Sequence, residues 1–289
     1  MKLSLVICTY NRADQLKRSL ARIAEIRSAV AWELVLVDNA STDETPNVIT
    51  NFMRSAPFPV VRVYEELHGN GRCRNAGVAV AHGDIIAFSD DDCYPASDYV
   101  DQVLKVFEDP RIGFAGGRLT LYDPDDYAIT IKELESPQVF EPRSFIPAGE
   151  IHGANMMFRK SVLDEINGFD NDFGAGAKFS GDDIDACGRA SFAGWWGMYA
   201  PTAVVAHHHG RKESNIPALK RRYAIGRGAY LAKFTLNRAS SKIYARVWLD
   251  RLCHFVSLGP RNCLQELYGA EQYLCHRMTL LMKQSRGRT

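Results

Sequence analysis

Apolar and polar positions follow two alternating periods through the first third of the chain. "KLSLVICTY" (2–10), "WELVLVDNAS" (32–41), "PVVRVYEE" (59–66) and "DIIAFSDDD" (84–92) are short apolar runs rich in β-branched residues, and each is predicted to form a strand. Between them, "ADQLKRSLARIAEI" (13–26) sets Leu16, Leu20, Ile23 and Ile26 on one helical face. "TDETPNVITNFMRS" (42–55) has acids in its first turn and an arginine near its end, "GRCRNAGVAVAHG" (71–83) stops at a glycine, and "SDYVDQVLKVFED" (97–109) completes the series of helices. Strands separated by helices of this length predict βαβ units and a mostly parallel sheet. Right-handed crossovers place the carboxyl ends of such strands on one edge, where open α/β sheets bind ligands. Thr9-Tyr10-Asn11-Arg12, Asp38-Asn39 and Asp90-Asp91-Asp92 all fall at strand ends and so are predicted to converge.

Residues 116–149 are rich in Pro and Asp and read as an irregular region over that edge. After Pro217 the pattern becomes helical and basic, with Tyr244, Trp248, Leu252 and Phe255 along one face. No internal repeat interrupts the chain. The expected division is an α/β domain over residues 1–210 and a basic helical extension over 211–289.

Composition narrows the class. With 46% hydrophobic and 24% charged residues the chain is an ordinary soluble type, and no apolar run reaches the roughly 20 residues that span a bilayer. The first ten residues lack the pattern of a signal peptide, and the seven cysteines include no C-x-x-C pair. A reducing cytoplasm is the expected compartment. The net charge of +1 hides an asymmetry: residues 211–289 hold 16 Lys/Arg against 4 Asp/Glu, and residues 1–210 hold 19 against 30. Such a tail suits peripheral contact with an anionic membrane face. It equally suits packing on the main domain or against a homodimer partner. Without a nucleic-acid motif, nucleic acid is not an expected partner.

Three adjacent aspartates at the end of an apolar strand repel one another and resist burial. A divalent cation such as Mg²⁺ or Mn²⁺ would relieve this, since hard cations take oxygen ligands and share them with phosphates. The plainer reading is a solvated acidic loop before a helix. Position at a strand end, facing two other polar strand ends, favours the cation. A second acidic cluster opens "GDDIDACGRASFAGWW" (181–196), where Asp182, Asp183 and Asp185 either stabilise a helix N-terminus or supply a general base. Asp185 and Arg189, four apart, are predicted to pair. Of His207, His208 and His209, the first and third share a strand face, though one extended run does not make a zinc site.

"VICTYNR", "ELVLVDNASTD", "GNGRCRNAG", "AHGDIIAFSDDDCYP", "GANMMFRKSVLDEINGFD", "SGDDIDACGR" and "PTAVVAHHHG" occur in that order. Together they resemble the family 2 inverting glycosyltransferases of GT-A fold. The resemblance implies a Rossmann-like α/β sheet flanked by helices, a nucleotide-sugar donor (most commonly a UDP-sugar), Mn²⁺ or Mg²⁺, and a hydroxyl acceptor: a glycan, a lipid-linked glycan or a small molecule. It implies that Thr9, Tyr10 and Arg12 line the base and ribose pocket, that Asp38 bonds the base, and that Arg74 lies near the nucleotide. Asp90 and Asp91 would then sit by the donor, and Asp92 would bind the metal, with His207 completing that site and His209 as the alternative. Asp183 would be the base and Asp182 would hold the acceptor, where Glu is commoner in the family. Trp195 and Trp196, as an aromatic platform or as core, and Asn155 are the candidates for acceptor contact. A sugar nucleotidyltransferase is the competing enzyme, but "CTYNRADQ" has no glycine-rich triphosphate loop. A nucleotide-sugar-binding protein without turnover is the non-enzymatic alternative.

Overall fold

The computed structural model describes residues 2–286. Its first elements are β1 (Leu3–Thr9), α1 (Ala13–Ile23), β2 (Trp32–Asp38), α2 (Thr45–Ser55), β3 (Val60–Tyr64), α3 (Asn70–Val80) and β4 (Ile85–Asp90). β5 (Cys93–Pro95), α4 (Tyr99–Val106), β6 (Ile112–Leu121), β7 (Gln138–Phe140), β8 (Asn155–Arg159), α5 (Lys160–Glu165), α6 (Asp182–Phe192) and β9 (Trp196–His207) follow. The chain ends in α7 (Ile216–Leu236), α8 (Ser241–Cys253) and α9 (Pro260–Arg286). It divides into two compact units: residues up to Ala177 with Asp182–Glu213, and Lys178–Gly181 with the chain from Ser214 onward.

The first unit is built on one mixed sheet in the order β3-β2-β1-β4-β8-β6-β9-β5, with β7 also on β9. β1 to β4 are mutually parallel, and β8 enters antiparallel between β4 and β6. β6 and β9 then run parallel to one another and, through the two reversals at β8, in the same direction as β4. β1, β2, β4 and β8 are buried on both faces, which is why they read as continuous apolar runs, whereas β3 at the end of the sheet is partly exposed. On one face Leu5, Ile7, Leu34, Leu36 and Ala87 pack against α1, α2 and α4. On the other, Val6, Val35, Val37, Ile86 and Phe88 pack against α3, α5 and α6. Each such Leu, Ile, Val or Phe stabilises the fold by about 1.5–3 kcal/mol. Gly77 lets α3 lie close on β1, since a Cβ there would come 2.5 Å from the Val6 side chain.

Part of the segment predicted to be irregular is in fact strand. Residues 116–121 belong to β6, and β7 lies farther on. The paired glycines look like a turn, yet they mark close approach: a Cβ on Gly117 would come 2.2 Å from the Ala203 carbonyl. The β6–β9 register shifts at that point.

The second unit holds α7, α8 and α9. Gly228 of α7 and Gly269 of α9 allow these helices to meet backbone to backbone, because a Cβ on either would collide with the other helix's carbonyls at about 2 Å or less. At this junction Glu266 is buried and receives Arg227 Nε at 2.9 Å and Arg251 Nε at 2.7 Å. Removing the carboxylate would leave two guanidiniums facing each other without a counter-charge, Arg227 keeping only the Asn262 side chain at 2.7 Å. Glu266→Ala is therefore expected to cost about 3–5 kcal/mol, read as a lowered urea midpoint for the helical unit. No helix among the described residues is long and apolar enough to cross a membrane.

Candidate functional site

The three aspartates lie where the chain leaves the middle of the sheet for its far edge. β4 ends at Asp90, and β5 begins at Cys93 and pairs with β9. That register sets Cys93 opposite His207, and the His208 amide donates to the Asp92 carbonyl at 2.9 Å. As a result His207 Nε2 lies 3.3 Å from Asp92 Oδ1. One oxygen each from Asp90 and Asp92, a His207 nitrogen and the Cys93 sulfur lie within 4.8 Å of one another. Burial raises the Cys93 thiol well above its ordinary value, so it stays a neutral thiol. Two carboxylates and an imidazole remain as a donor set.

Arg12 decides which oxygens stay available. Its Nε is 2.9 Å from Asp91 Oδ1, and its Nη2 is 2.6 Å from Asp92 Oδ2. Thr9 Oγ1 donates to the other oxygen of Asp91 at 2.7 Å. Thr9 and Asp91 are buried and turned toward each other, so both are committed to holding the turn. Asp90 and Oδ1 of Asp92 are left to face His207. Burial and the charge of Asp92 raise Asp90 above the usual carboxylate range. Burial also pushes Asp91 up to about 7 despite the opposing charge of Arg12. For Asp92 burial acts upward, but the hydrogen bond and charge of His207, with Arg12, outweigh it and hold the group low.

The neighbouring strand ends supply the rim. Asn11 adopts a positive φ of 50° and its side chain accepts from the Thr42 amide at 2.7 Å, tying the β1–α1 turn to the β2–α2 turn. Asp38 is buried, accepts from the Ser41 amide at 3.0 Å and faces Arg62 at 3.4 Å. Tyr10 is 47% exposed and meets His68 edge to face at 4.6 Å.

Arg74 joins the two acidic clusters. It is buried on α3, with its ring neighbours Phe88 and Phe169 beneath the guanidinium. It forms an ion pair with Asp182, donates to the Gly153 carbonyl at 3.2 Å and reaches Asp90 at 3.9 Å. Asp182 also receives the Asn70 side chain at 3.4 Å. Asp183, next in α6, meets no cation at ion-pair distance among the described residues. It accepts from the Ile184 amide at 2.8 Å and the Gly153 amide at 3.1 Å. Burial raises Asp183 above its ordinary value. Asp185 pairs with Arg189 at 2.8 Å. Asn75 lies inside α3 and exchanges hydrogen bonds with the Phe169 backbone at 2.7 and 2.9 Å.

Two of the sequence expectations are not met by the placement. Trp195 and Trp196 sit at the opposite edge of the sheet, since Trp196 pairs with Ile112 and His207 with Leu121 at the other end of the same strands. Eleven residues of strand put the two edges about 30 Å apart. The Trp195 indole donates to Glu165 at 2.8 Å. Neither tryptophan is available to an acceptor at the acidic edge. Asn155 is fully buried, accepts from the Tyr99 hydroxyl at 2.9 Å and donates to the Ala203 and Arg118 carbonyls at 2.9 and 3.0 Å. Its polar atoms are spent on holding β6, β8 and β9 together.

His152, Gly153 and Asn70 belong to this edge and were not picked out from the sequence. Burial drives the His152 imidazole down to about 4, with the positive charge of His207 adding to it, so it is neutral. Its only signal is its place immediately before "GAN". A second cluster, Asp123, Asp126 and His208, also gathers possible ligand atoms. There, however, the Lys212 ammonium lies 2.8 Å from Asp126 and already supplies a cation.

Comparisons with known proteins agree with this architecture. The family model described as Glycosyl transferase family 2 matches residues 4–167. Glycosyltransferase AglE of Haloferax volcanii is 23% identical over 265 residues, spanning 91% of this chain and 84% of AglE. Other curated relatives are longer, and the chain spans 44% and 42% of two of them. Among solved structures, the mannosyltransferase PcManGT from Pyrobaculum calidifontis, in complex with GDP-Man and Mn²⁺, superposes with a TM-score of 0.67 at 20% identity, covering 99% of this chain and 79% of that one. S. aureus TarS 1–349 in complex with UDP gives 0.63 at 17% identity, covering 89% and 72%.

Proposed function

The chain belongs to glycosyl transferase family 2, and from that premise we propose that it moves a sugar from a nucleoside diphosphate sugar to an acceptor hydroxyl, with inversion at the anomeric carbon. The observation that carries the reading is the pairing of two unlike acidic clusters through Arg74. One cluster contains a donor set for a cation, and the other contains Asp183, a half-buried carboxylate with no ion-pair partner among the described residues. UDP is the proposed nucleotide, with GDP as the first alternative, because TarS holds UDP and PcManGT holds GDP-Man.

The residues fit Mn²⁺ or Mg²⁺. Asp90, Asp92 and His207 offer oxygen and nitrogen ligands within 4.8 Å of one another. When bound, such an ion supplies charge that stabilises the diphosphate as it leaves. Arg12 and Thr9 hold the aspartate turn in shape. Tyr10 and Asp38 edge the proposed base and ribose pocket. Arg74 orients Asp182, and its charge opposes the upward shift that burial imposes on that carboxylate. Asp183 takes the proton from the acceptor hydroxyl as its oxygen bonds to the anomeric carbon and the bond to the donor phosphate breaks on the opposite side. Asp183 is favoured over Asp182 as base because Asp182 is claimed by Arg74 and Asn70.

The reading is tested by incubating the protein with UDP-, GDP- and dTDP-sugars and Mn²⁺ and following nucleotide release. The anomeric configuration of the product, read by NMR, decides inversion. Turnover with none of them, together with absence of nucleotide binding, would overturn it. A further expectation concerns pH. Asp183 must be ionised to act, and burial raises its folded-state pKa. kcat/KM should therefore plateau at higher pH and decline as pH falls through a value above the ordinary carboxylate range of about 4. A profile flat down to about pH 4 counts against Asp183 as base.

A further inference from the structure

α9 presents two faces, and its own unit uses one of them. Cys263, Glu266, Gly269 and Tyr273 are buried on that face. The other face carries Leu264, Leu267, Tyr268, Leu274, Met278 and Leu281, which are 40 to 58% exposed. Their spacing is a seven-residue repeat. Leu264, Glu271 and Met278 recur at one position, and Leu267, Leu274 and Leu281 recur three residues later. That is the pattern of a two-helix seam, in which each apolar side chain fits between four of the facing helix. Monomeric proteins rarely leave a contiguous apolar stripe of this size in water.

We propose that this seam pairs with the same seam of a second copy of the chain, the two α9 helices running antiparallel. Area, length and charge choose that occupant. The six side chains expose on the order of 600 Å² per copy, so pairing covers roughly 1,200 Å², enough for a specific interface. The 27 residues of α9 extend about 40 Å, which accommodates three repeats. Glu271 stands exposed in the middle of the stripe, where an anionic lipid surface would repel it. A parallel pair would set Glu271 against Glu271. The antiparallel pair sets each residue of one position against the other position: Glu271 meets Leu274, Leu264 meets Leu281, and Met278 meets Leu267. It also opposes the two helix dipoles favourably.

Sedimentation of the full chain tests this directly. The wild type is expected at twice the chain mass of 32.3 kDa. Leu267→Glu with Met278→Glu should weaken the dimer by ~100-fold or more, with unchanged circular dichroism, because both positions lie on the surface. Orientation is read in a Cys253→Ser, Cys275→Ser background. Leu264→Cys mixed with Leu281→Cys should give a disulfide-linked dimer, and Leu264→Cys alone should not. A monomer at every concentration up to roughly 100 μM, or a dimer indifferent to the double substitution, overturns the proposal. So does crosslinking of Leu264→Cys to itself. Binding to phosphatidylserine vesicles by a wild type that stays monomeric in solution, abolished by the same substitutions, overturns it in favour of a lipid surface.

Discussion

Asp183→Asn is expected to lower kcat by ~10³-fold or more while leaving nucleotide affinity within about twofold. A loss of that size corresponds to about 4 kcal/mol of transition-state stabilisation. The substitution keeps the shape of the side chain and one of the two oxygens that accept from the Gly153 and Ile184 amides, so it forfeits one backbone hydrogen bond, worth about 1 kcal/mol, and the fold should tolerate it. What it removes is the capacity to take a proton. Asp182→Asn gives the contrasting result. It weakens the partner of a buried guanidinium, and the expected effect is a loss of stability on the order of 2–3 kcal/mol together with disturbed nucleotide binding, because Arg74 also reaches Asp90. Single-turnover kinetics and calorimetry on both variants separate the roles. If Asp183→Asn turns over normally and Asp182→Asn is inactive but folded, the base is Asp182.

Asp92→Asn carries the second large effect. In the wild type, UDP binding followed by calorimetry should strengthen by at least ~10-fold when Mn²⁺ is added, since Asp90, Asp92 and His207 would hold the ion and its charge would attract the diphosphate. In Asp92→Asn that increment should vanish, leaving the weak metal-independent binding of the rim. The reason lies in how the turn is wired. Asp91 is consumed by Arg12 and Thr9, and Arg12 also takes one oxygen of Asp92. The remaining oxygen faces His207 and has no substitute. His207→Gln should reproduce the effect in weaker form. The variant must keep its melting temperature for the result to count, because Asp92 is buried and helps anchor the Arg12 side chain. A metal increment that survives both substitutions would place the cation elsewhere. If UDP binds under no condition, GDP and dTDP decide whether the nucleotide or the site is wrong.

The alternation of apolar runs and amphipathic helices in the first 110 residues was enough to predict βαβ units and a carboxyl edge where polar strand ends meet. That information is local: a strand buried on both faces must be apolar throughout, and a helix covering it must carry one apolar stripe. The ordered motifs named the family. Residues 116–121 were misread because a glycine pair looks the same in a turn and at a close approach of backbones.

Within the edge itself the local sequence was silent on the choices that matter to chemistry. Adjacent residues such as Asp182 and Asp183 have the same composition and the same helix, yet Arg74, more than 100 residues earlier, claims only the first. His207 rather than His209 faces Asp92 because the β5–β9 register brings it there, and His209 turns toward Asp126. Trp195 follows the acidic helix directly and donates to its last turn at the Ala190 carbonyl, yet both tryptophans lie far from the aspartate turn, since β9 must run the whole length of the sheet between Trp196 and His207. Asn155 looked like a polar residue near a site and is a buried hydrogen-bond hub. Pattern and motif determined the fold, the family and the edge of the sheet. Only strand register and long-range ion pairing decided which carboxylates are spent on structure and which are left with capacity to react, because those partners are set by contacts that no short stretch of sequence contains.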